Sequence, residues 1–229
     1  MRVGIIGNQP CGPVLAKAWA SSGHELVGAA VDSPEAIERI EALLPDLPIA
    51  GMAAVTEDAE VVLLAVPDAD VEITCAGLAD LSLFGPRKIV IHFSPSNGYE
   101  VLSAAALHGA VTIAMHPVLS FTGTSVDLQV LKNSVVAVTA PDVYLPIAQA
   151  LAIELGAEPI VVKQEQRAAY AEAFEVASDF SRLVVQRALG ILSDAEVDSP
   201  RELVVPVVRA AIDEALRQGP LKIYPEDAQ

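Results

Sequence analysis

At 229 residues, with 52% hydrophobic side chains, the chain has enough length and apolar material for one large core or two modest ones, which excludes disorder for most of it. Its 14 Lys and Arg against 30 Asp and Glu leave a formal charge of −16, so neither a nucleic-acid backbone nor an anionic membrane is an expected partner. Cys11 and Cys75 are too few and too far apart for a disulfide framework, and four scattered histidines without a tight carboxylate cluster offer no metal site.

Short β-rich runs alternate with helix-length segments as far as about residue 115, the pattern of parallel strands joined by crossover helices. Strands are predicted at 2–6, 25–31, 60–66, 88–93 and 111–115. Helices are predicted at 13–22 (closed by Gly23), 34–44 (capped by Ser33), 69–81 and 98–107 (stopped by Gly109). The strands are apolar on both faces, as in a sheet covered on both sides. After His116-Pro117 a loop at 120–127 leads to a strand at 134–139, a helix ending near Gly156 and a short strand at 159–162. One long helix is predicted over 164–192 and another over 200–218. The apolar run after Met1 has no basic leader, and the longest apolar stretches are strand length, so no signal peptide or membrane span is expected. The expectation is a soluble, cytoplasmic protein.

The segment from Gly7 through Asn8, Gln9, Pro10 and Cys11 to Gly12 lies where the first strand meets the first helix, the context that gives a glycine fingerprint its meaning. In that fingerprint the first glycine permits a tight turn, the second lets the backbone approach a pyrophosphate, and the third allows close helix packing. Gly7 and Gly12 fill the first and third places, and Gln9 occupies the second, where its side chain would crowd a diphosphate. Pro10 removes an amide donor. Asp32, 25 residues after Gly7 at the end of the second strand, stands where a carboxylate can bind the adenosine ribose 2′-hydroxyl. NAD is therefore expected over NADP, and a loop closed over the crevice would bind neither. Asp32 could equally serve as turn chemistry before the Ser33-Pro34 helix start. Val66, Pro67 and Asp68 would line the same crevice or simply begin the next helix.

The fold expected is α/β: a Rossmann-type, doubly wound, mostly parallel sheet over residues 1–115, an α/β extension and connector over 116–163, and a smaller, mainly helical domain over 164–229 for dimerisation and substrate contact. The apolar runs of that helical third exceed what one helix pair can bury, which predicts a homodimer. His116, at the end of a sheet strand, is the first candidate for a functional side chain. With an ordinary pKa near ~6.5 it could protonate a carbonyl as hydride arrives, or it could only fix its loop. His92, Ser94 and Asn97, at another strand end, could touch a nicotinamide ribose or cap the following helix.

The run from Met115 through His116-Pro117 and Phe121-Thr122-Gly123 to Asp127 resembles a signature of the Rossmann-like dehydrogenases allied to the 6-phosphogluconate dehydrogenase, ketopantoate reductase and pyrroline-5-carboxylate reductase superfamily. Further matches are Ile91-His92-Phe93-Ser94 with Gly98, and Arg167-Ala168-Ala169-Tyr170. The resemblance implies a Rossmann domain, a helical dimerising domain, and reduction of a small carbonyl or imine compound by a nicotinamide cofactor. Departures are Gln9 for the usual Gly, Phe93-Ser94-Pro95 for Thr-Ser-Gly, Asn97 and Ala171 for His, and Asp179 for Asn. Tyr170 and Asp179, nine residues apart on one predicted helix, join His116 as candidate catalytic groups. The stripe of Glu172, Glu175, Asp179 and Arg182 also reads as a solvated helix face. A catalytically attenuated ligand-binding or dimeric interaction protein is the alternative, motivated by Gln9, Pro10 and Ala171.

Overall fold

The alternation of apolar runs and helix-length segments becomes, in the computed structural model, a seven-stranded sheet within a unit spanning Met1–Ala171, with a second unit from Glu172 onward. The structure describes residues 1–219; positions 220–229 of the predicted helical domain lie outside the described residues. In chain order the first unit contains β1 Arg2–Ile6, α1 Cys11–Ser21, β2 Glu25–Ala30, α2 Pro34–Leu43, α3 Met52–Asp58, β3 Val61–Leu64 and α4 Val71–Asp80. It continues with β4 Ile89–His92, α5 Ser103–Leu107, β5 Val111–Pro117, α6 Ser125–Leu131, β6 Val135–Thr139, α7 Leu145–Glu154 and β7 Glu158–Val161.

The sheet order is β2-β1-β3-β4-β5-β6-β7, and every neighbouring pair is parallel except β5 with β6. The chain steps from β1 to β2 on one side and then crosses to β3 on the other. The loops leaving β1 and β3 therefore diverge at a topological switch point, where open α/β sheets bind ligands. One face of the sheet packs Val3, Ile5, Leu63, Ile91 and Ile113 against Val14, Leu15 and Trp19 of α1 and Ala148, Leu151 and Ala152 of α7. The other packs Ile6, Val62, Leu64 and Val90 against Val55, Val71, Cys75 and Leu78. Burial on both faces is why these strands read as continuous apolar runs. The indole of Trp19 donates to the Leu151 carbonyl at 2.9 Å and so ties α1 to α7.

The predicted fold class is the one observed, with several local differences. Helix α3 escaped the sequence reading because it is two turns long and has no side-chain cap. It lies so close to β1 that a Cβ on Gly4 would come within 2.7 Å of Val55 Cγ1. The Lys88 ammonium closes its end by donating to the carbonyls of Thr56, Glu57 and Ala59 at 2.5, 3.0 and 2.7 Å. Helix α6 starts within a segment read only as loop, where the Asp127 carboxylate in its first turn accepts the Thr122 and Gly123 N–H groups.

The long helix predicted over 164–192 is not uniform. A short tight turn at Gln164–Gln166 precedes α8 Arg167–Glu175, which begins in the first unit; a π-helical turn at Val176–Phe180 then leads to α9 Ser181–Asp194. The second unit ends, among the described residues, with α10 Pro200–Gln218, the helix predicted over the same span.

Candidate functional site

At the exit of β1 the chain turns at Gly7 with φ +107°, and a Cβ there would meet the Ala65 carbonyl oxygen at 2.3 Å. Only glycine fits, for both reasons. The Gly7 and Gln9 amides donate to the carbonyls of Ala30 and Ala65, each at 2.9 Å, and the Gly12 amide donates to the Gln9 carbonyl at 3.2 Å. With Pro10 lacking an N–H, Asn8 and Cys11 carry the loop amides that have no backbone acceptor among the described residues. Gly12 is the packing glycine: a Cβ would lie 2.8 Å from Ala65 Cβ. Burial pushes the Cys11 thiol up to about 12, which keeps it protonated and inert.

Asp32 is held by the loop itself. The Asn8 side-chain amide donates to its carboxylate at 2.6 Å, and Asn8 Oδ1 accepts the Asp32 backbone N–H at 3.1 Å. Helix α2 is capped by Ser33, whose hydroxyl accepts the Ala36 N–H at 3.2 Å, with Pro34 at its first position. The cap is thus Ser33, and the exposed Asp32 carboxylate faces a cavity of about 740 Å³. Gly7, Asn8, Gln9, Pro10, Asp32 and Arg39 line one side of it, and Val66, Pro67 and Asp70 belong to its other wall. The cavity thus lies directly beside the glycine loop.

Other predicted contacts do not line this cavity. Asp68 instead accepts the Ser96 hydroxyl at 3.3 Å through its carboxylate and the Asn97 side-chain amide at 3.1 Å through its carbonyl. Ser94 is buried, and its hydroxyl accepts the Asn97 N–H at 3.1 Å in a local turn. The expectation that His92 and Ser94 touch a nicotinamide ribose does not match these placements. His92 is 0% exposed, its Nε2 lies 2.8 Å from the Gly98 carbonyl, and its Nδ1 accepts the Ser94 N–H at 3.2 Å. Those two partners require the Nε2–H tautomer. Burial lowers its pKa to about 4, so this imidazole is a neutral strut of its loop.

At the end of β5, His116 Nδ1 lies 2.7 Å from the Tyr170 hydroxyl, with the rings edge to face at 5.7 Å. Arg167, one helical turn before Tyr170, is 2% exposed, and its guanidinium carbon stands 5.5 Å from the Tyr170 ring centre. Its Nε donates to Thr139 Oγ1 at 2.6 Å and its Nη2 to the Ala114 and Ala137 carbonyls at 3.2 and 3.4 Å. A buried cation is held here by neutral acceptors, which fasten β5 to β6 beneath His116. Burial, then the charge of Arg167, lowers the His116 pKa to about 4, and burial raises that of Tyr170. The expectation of an imidazolium titrating near its ordinary value is therefore corrected: at neutral pH both groups are uncharged, a hydrogen-bonded pair able to pass a proton between them. Asp179 lies in the π-helical turn of the second unit, with its side chain 61% exposed and bonded to Arg182 at 2.7 Å.

Three further features were not read from the sequence. Arg167 and Tyr170 are three residues apart, a spacing that puts them on one helix face and could have linked them. Arg39 had no such signal, because its role depends on where α2 lands. Asp127 explains the Phe-Thr-Gly to Asp signature: it is buried, and its carboxylate accepts the Thr122 and Gly123 N–H groups at 2.9 and 2.8 Å and the Thr122 hydroxyl at 2.8 Å. This fixes Gly123 at φ +77° against Pro10 and Arg39.

Residues 1–117 match the Rossmann-like domain family, and residues 134–224 match a domain of unknown function, DUF2520. No protein with a curated description matches the chain. Among solved structures, the chain superposes on a Bacteroides fragilis protein provisionally described as an NADP oxidoreductase, with TM-score 0.74 and 17% identity over 100% of this chain and 83% of that one. A semialdehyde dehydrogenase NAD-binding protein from Cupriavidus necator, solved with calcium and NAD, gives 0.70 and 16% over 98% and 87%. An imine reductase from Bacillus cereus gives 0.64 and 14% over 93% and 72%. At these identities the likeness is one of fold. No described helix is long and apolar enough to cross a membrane.

Proposed function

The chain belongs to the Rossmann-like domain family, and from that premise we propose that it is an NAD(P)-dependent oxidoreductase of the 6-phosphogluconate dehydrogenase type, reducing a small carbonyl or imine compound. The observation that carries this reading is the open cavity at the switch point between β1 and β3, with the Gly7 turn on one side and a carboxylate clamped at the end of β2. Residues 1–115 would hold the dinucleotide, 116–163 would extend the sheet, and 164–229 would dimerise and contact substrate. Asp32 suits an unphosphorylated ribose, which favours NAD.

A bound nicotinamide would supply hydride. Beside it, Tyr170 keeps its proton because burial disfavours the phenolate, and neutral His116 would position the phenol and, as Tyr170 protonates the substrate, return a proton to the tyrosine oxygen from Nδ1 while Nε2 takes one from solvent. Proton delivery to the substrate oxygen or nitrogen is assigned to this pair, and Asp179 to substrate selection. A homodimer is proposed through the helical unit, where Phe180, Leu183, Val184, Leu203 and Val207 are exposed apolar side chains.

Titration with NADH and NADPH, read by nicotinamide fluorescence, tests the reading: saturable binding is expected, and no binding up to millimolar concentration overturns it. A second reading, an attenuated relative that binds ligand without turnover, is favoured by the committed Gln9 amide and the missing Pro10 donor. Turnover of keto acids or cyclic imines with either cofactor eliminates it.

A further inference from the structure

Arg39 sits in the second turn of α2, and its stem crosses to the glycine loop. A Cβ on Gly123 would lie 2.5 Å from Arg39 Cδ and 3.1 Å from Pro10 Cβ, so the arginine stem and the proline rest side by side on the same glycine. The guanidinium ends at the loop, where Nη1 donates to the Asn8 carbonyl at 2.8 Å. Among the described residues it is the one cation lining the cavity, whose other charged residues are Asp32 and Asp70. Among the described residues it forms no ion pair. A guanidinium carries five N–H donors, and the bond to Asn8 uses one of them.

This placement answers a deficit in the loop. A diphosphate at the exit of a first strand is ordinarily held by free amides and a close backbone approach. Here Pro10 has no amide, the Gln9 amide is bonded to Ala65, and the chain as a whole carries a charge of −16 that repels an anion. The missing donor and the extra cation lie next to each other. Asn8 joins the two halves of the site, its carbonyl held by Arg39 and its side chain holding Asp32. We infer that Arg39 is a phosphate-binding residue of this crevice, its guanidinium taking oxygens of the dinucleotide's diphosphate in place of the amides that Gln9 and Pro10 do not offer. The inference rests on the dinucleotide reading above.

The test compares the unmodified protein with Arg39→Ala, Arg39→Gln and Arg39→Lys, each titrated with NADH, NADPH, ADP and adenosine. Arg39→Ala weakens NADH, NADPH and ADP to a similar extent, about 10- to 100-fold for loss of a charged hydrogen bond, and leaves adenosine unchanged. Arg39→Lys retains part of the affinity, since a point charge remains without the planar fork. Arg39→Gln keeps most of the stem on Gly123 and reproduces the loss should the alanine variant melt early. Equal affinities in all variants overturn the inference. So does a loss confined to NADPH, which would place Arg39 on the 2′-phosphate, or an equal loss for adenosine, which would make its role structural. Failure of the unmodified protein to bind NADH or NADPH retires the proposed function and this inference together, whereas binding that Arg39→Ala does not alter retires this inference alone.

Discussion

Asn8 and Asp32 hold each other through two hydrogen bonds, side-chain amide to carboxylate at 2.6 Å and backbone N–H to amide oxygen at 3.1 Å, across the gap between the first two strand ends. The carboxylate that would meet a ribose is thereby oriented before any ligand arrives. Asn8→Ala should leave it mobile and weaken NADH binding by about 1 to 2 kcal/mol, roughly 5- to 30-fold. Fluorescence titration beside a thermal melt checks this; a melting shift with unchanged affinity would refute it.

Gln9 lines the cavity with a side chain where the fingerprint has none. Gln9→Gly should tighten NADH binding at least severalfold by clearing the diphosphate path, despite the small entropic cost of a glycine. Calorimetric titration of the two proteins decides it, and weaker binding by the glycine variant would argue that Gln9 contributes a contact of its own.

Two histidines tie stability to pH. Each has a pKa near its ordinary value when unfolded and about 4 when folded, so below the unfolded value the unfolded chain binds more protons. Stability is fully present above about pH 6.5 and is lost as pH falls toward 4, by about 3 kcal/mol for the wholly buried His92. Urea denaturation across this range should show the slope, and His92→Asn should flatten it. An unchanged slope would mean that His92 does not fold as a neutral group.

Arg167 should be far less replaceable than its lack of a carboxylate partner among the described residues suggests. Arg167→Met would leave the Thr139 hydroxyl and the Ala114 and Ala137 carbonyls short of a donor beneath His116, at a cost of about 2 to 4 kcal/mol. It would also remove the part of the His116 pKa depression that the Arg167 charge adds to that of burial, moving that ring's NMR titration upward. Arg167→Lys should restore little, because one ammonium cannot span the same acceptors. A melt within about 0.5 kcal/mol of the parent would contradict this account.

For the helical unit, light scattering at tens of micromolar should report a dimer, and a charge at an exposed apolar position, Leu183→Glu or Val184→Glu, should shift it to monomer. A monomeric parent would remove the proposed interface.

Much of the fold was legible because the strands are short and apolar on both faces; β1 is observed over the predicted residues. The Ser33 cap and the Gly7 turn were legible because their chemistry is local. What escaped depends on distant partners. Neither the antiparallel direction of β6 nor α3 leaves a mark in its own residues, although Gly4 and Gly28 record the closeness of α3 to the sheet. His92 and His116 look alike in sequence, each at a strand end, yet one is enclosed by its own loop and the other meets a tyrosine from residue 170. Arg39 and Arg167 became interpretable only once their acceptors were placed.

The single tryptophan turns one packing detail into an instrument. Trp19 lies on the helix that starts at the glycine loop, sealed from solvent and bonded to Leu151 of α7. Its emission should be blue-shifted and should overlap the absorption of a reduced nicotinamide. Energy transfer between the two would then signal docking without any label, and a red shift on denaturation would report separation of α1 from α7.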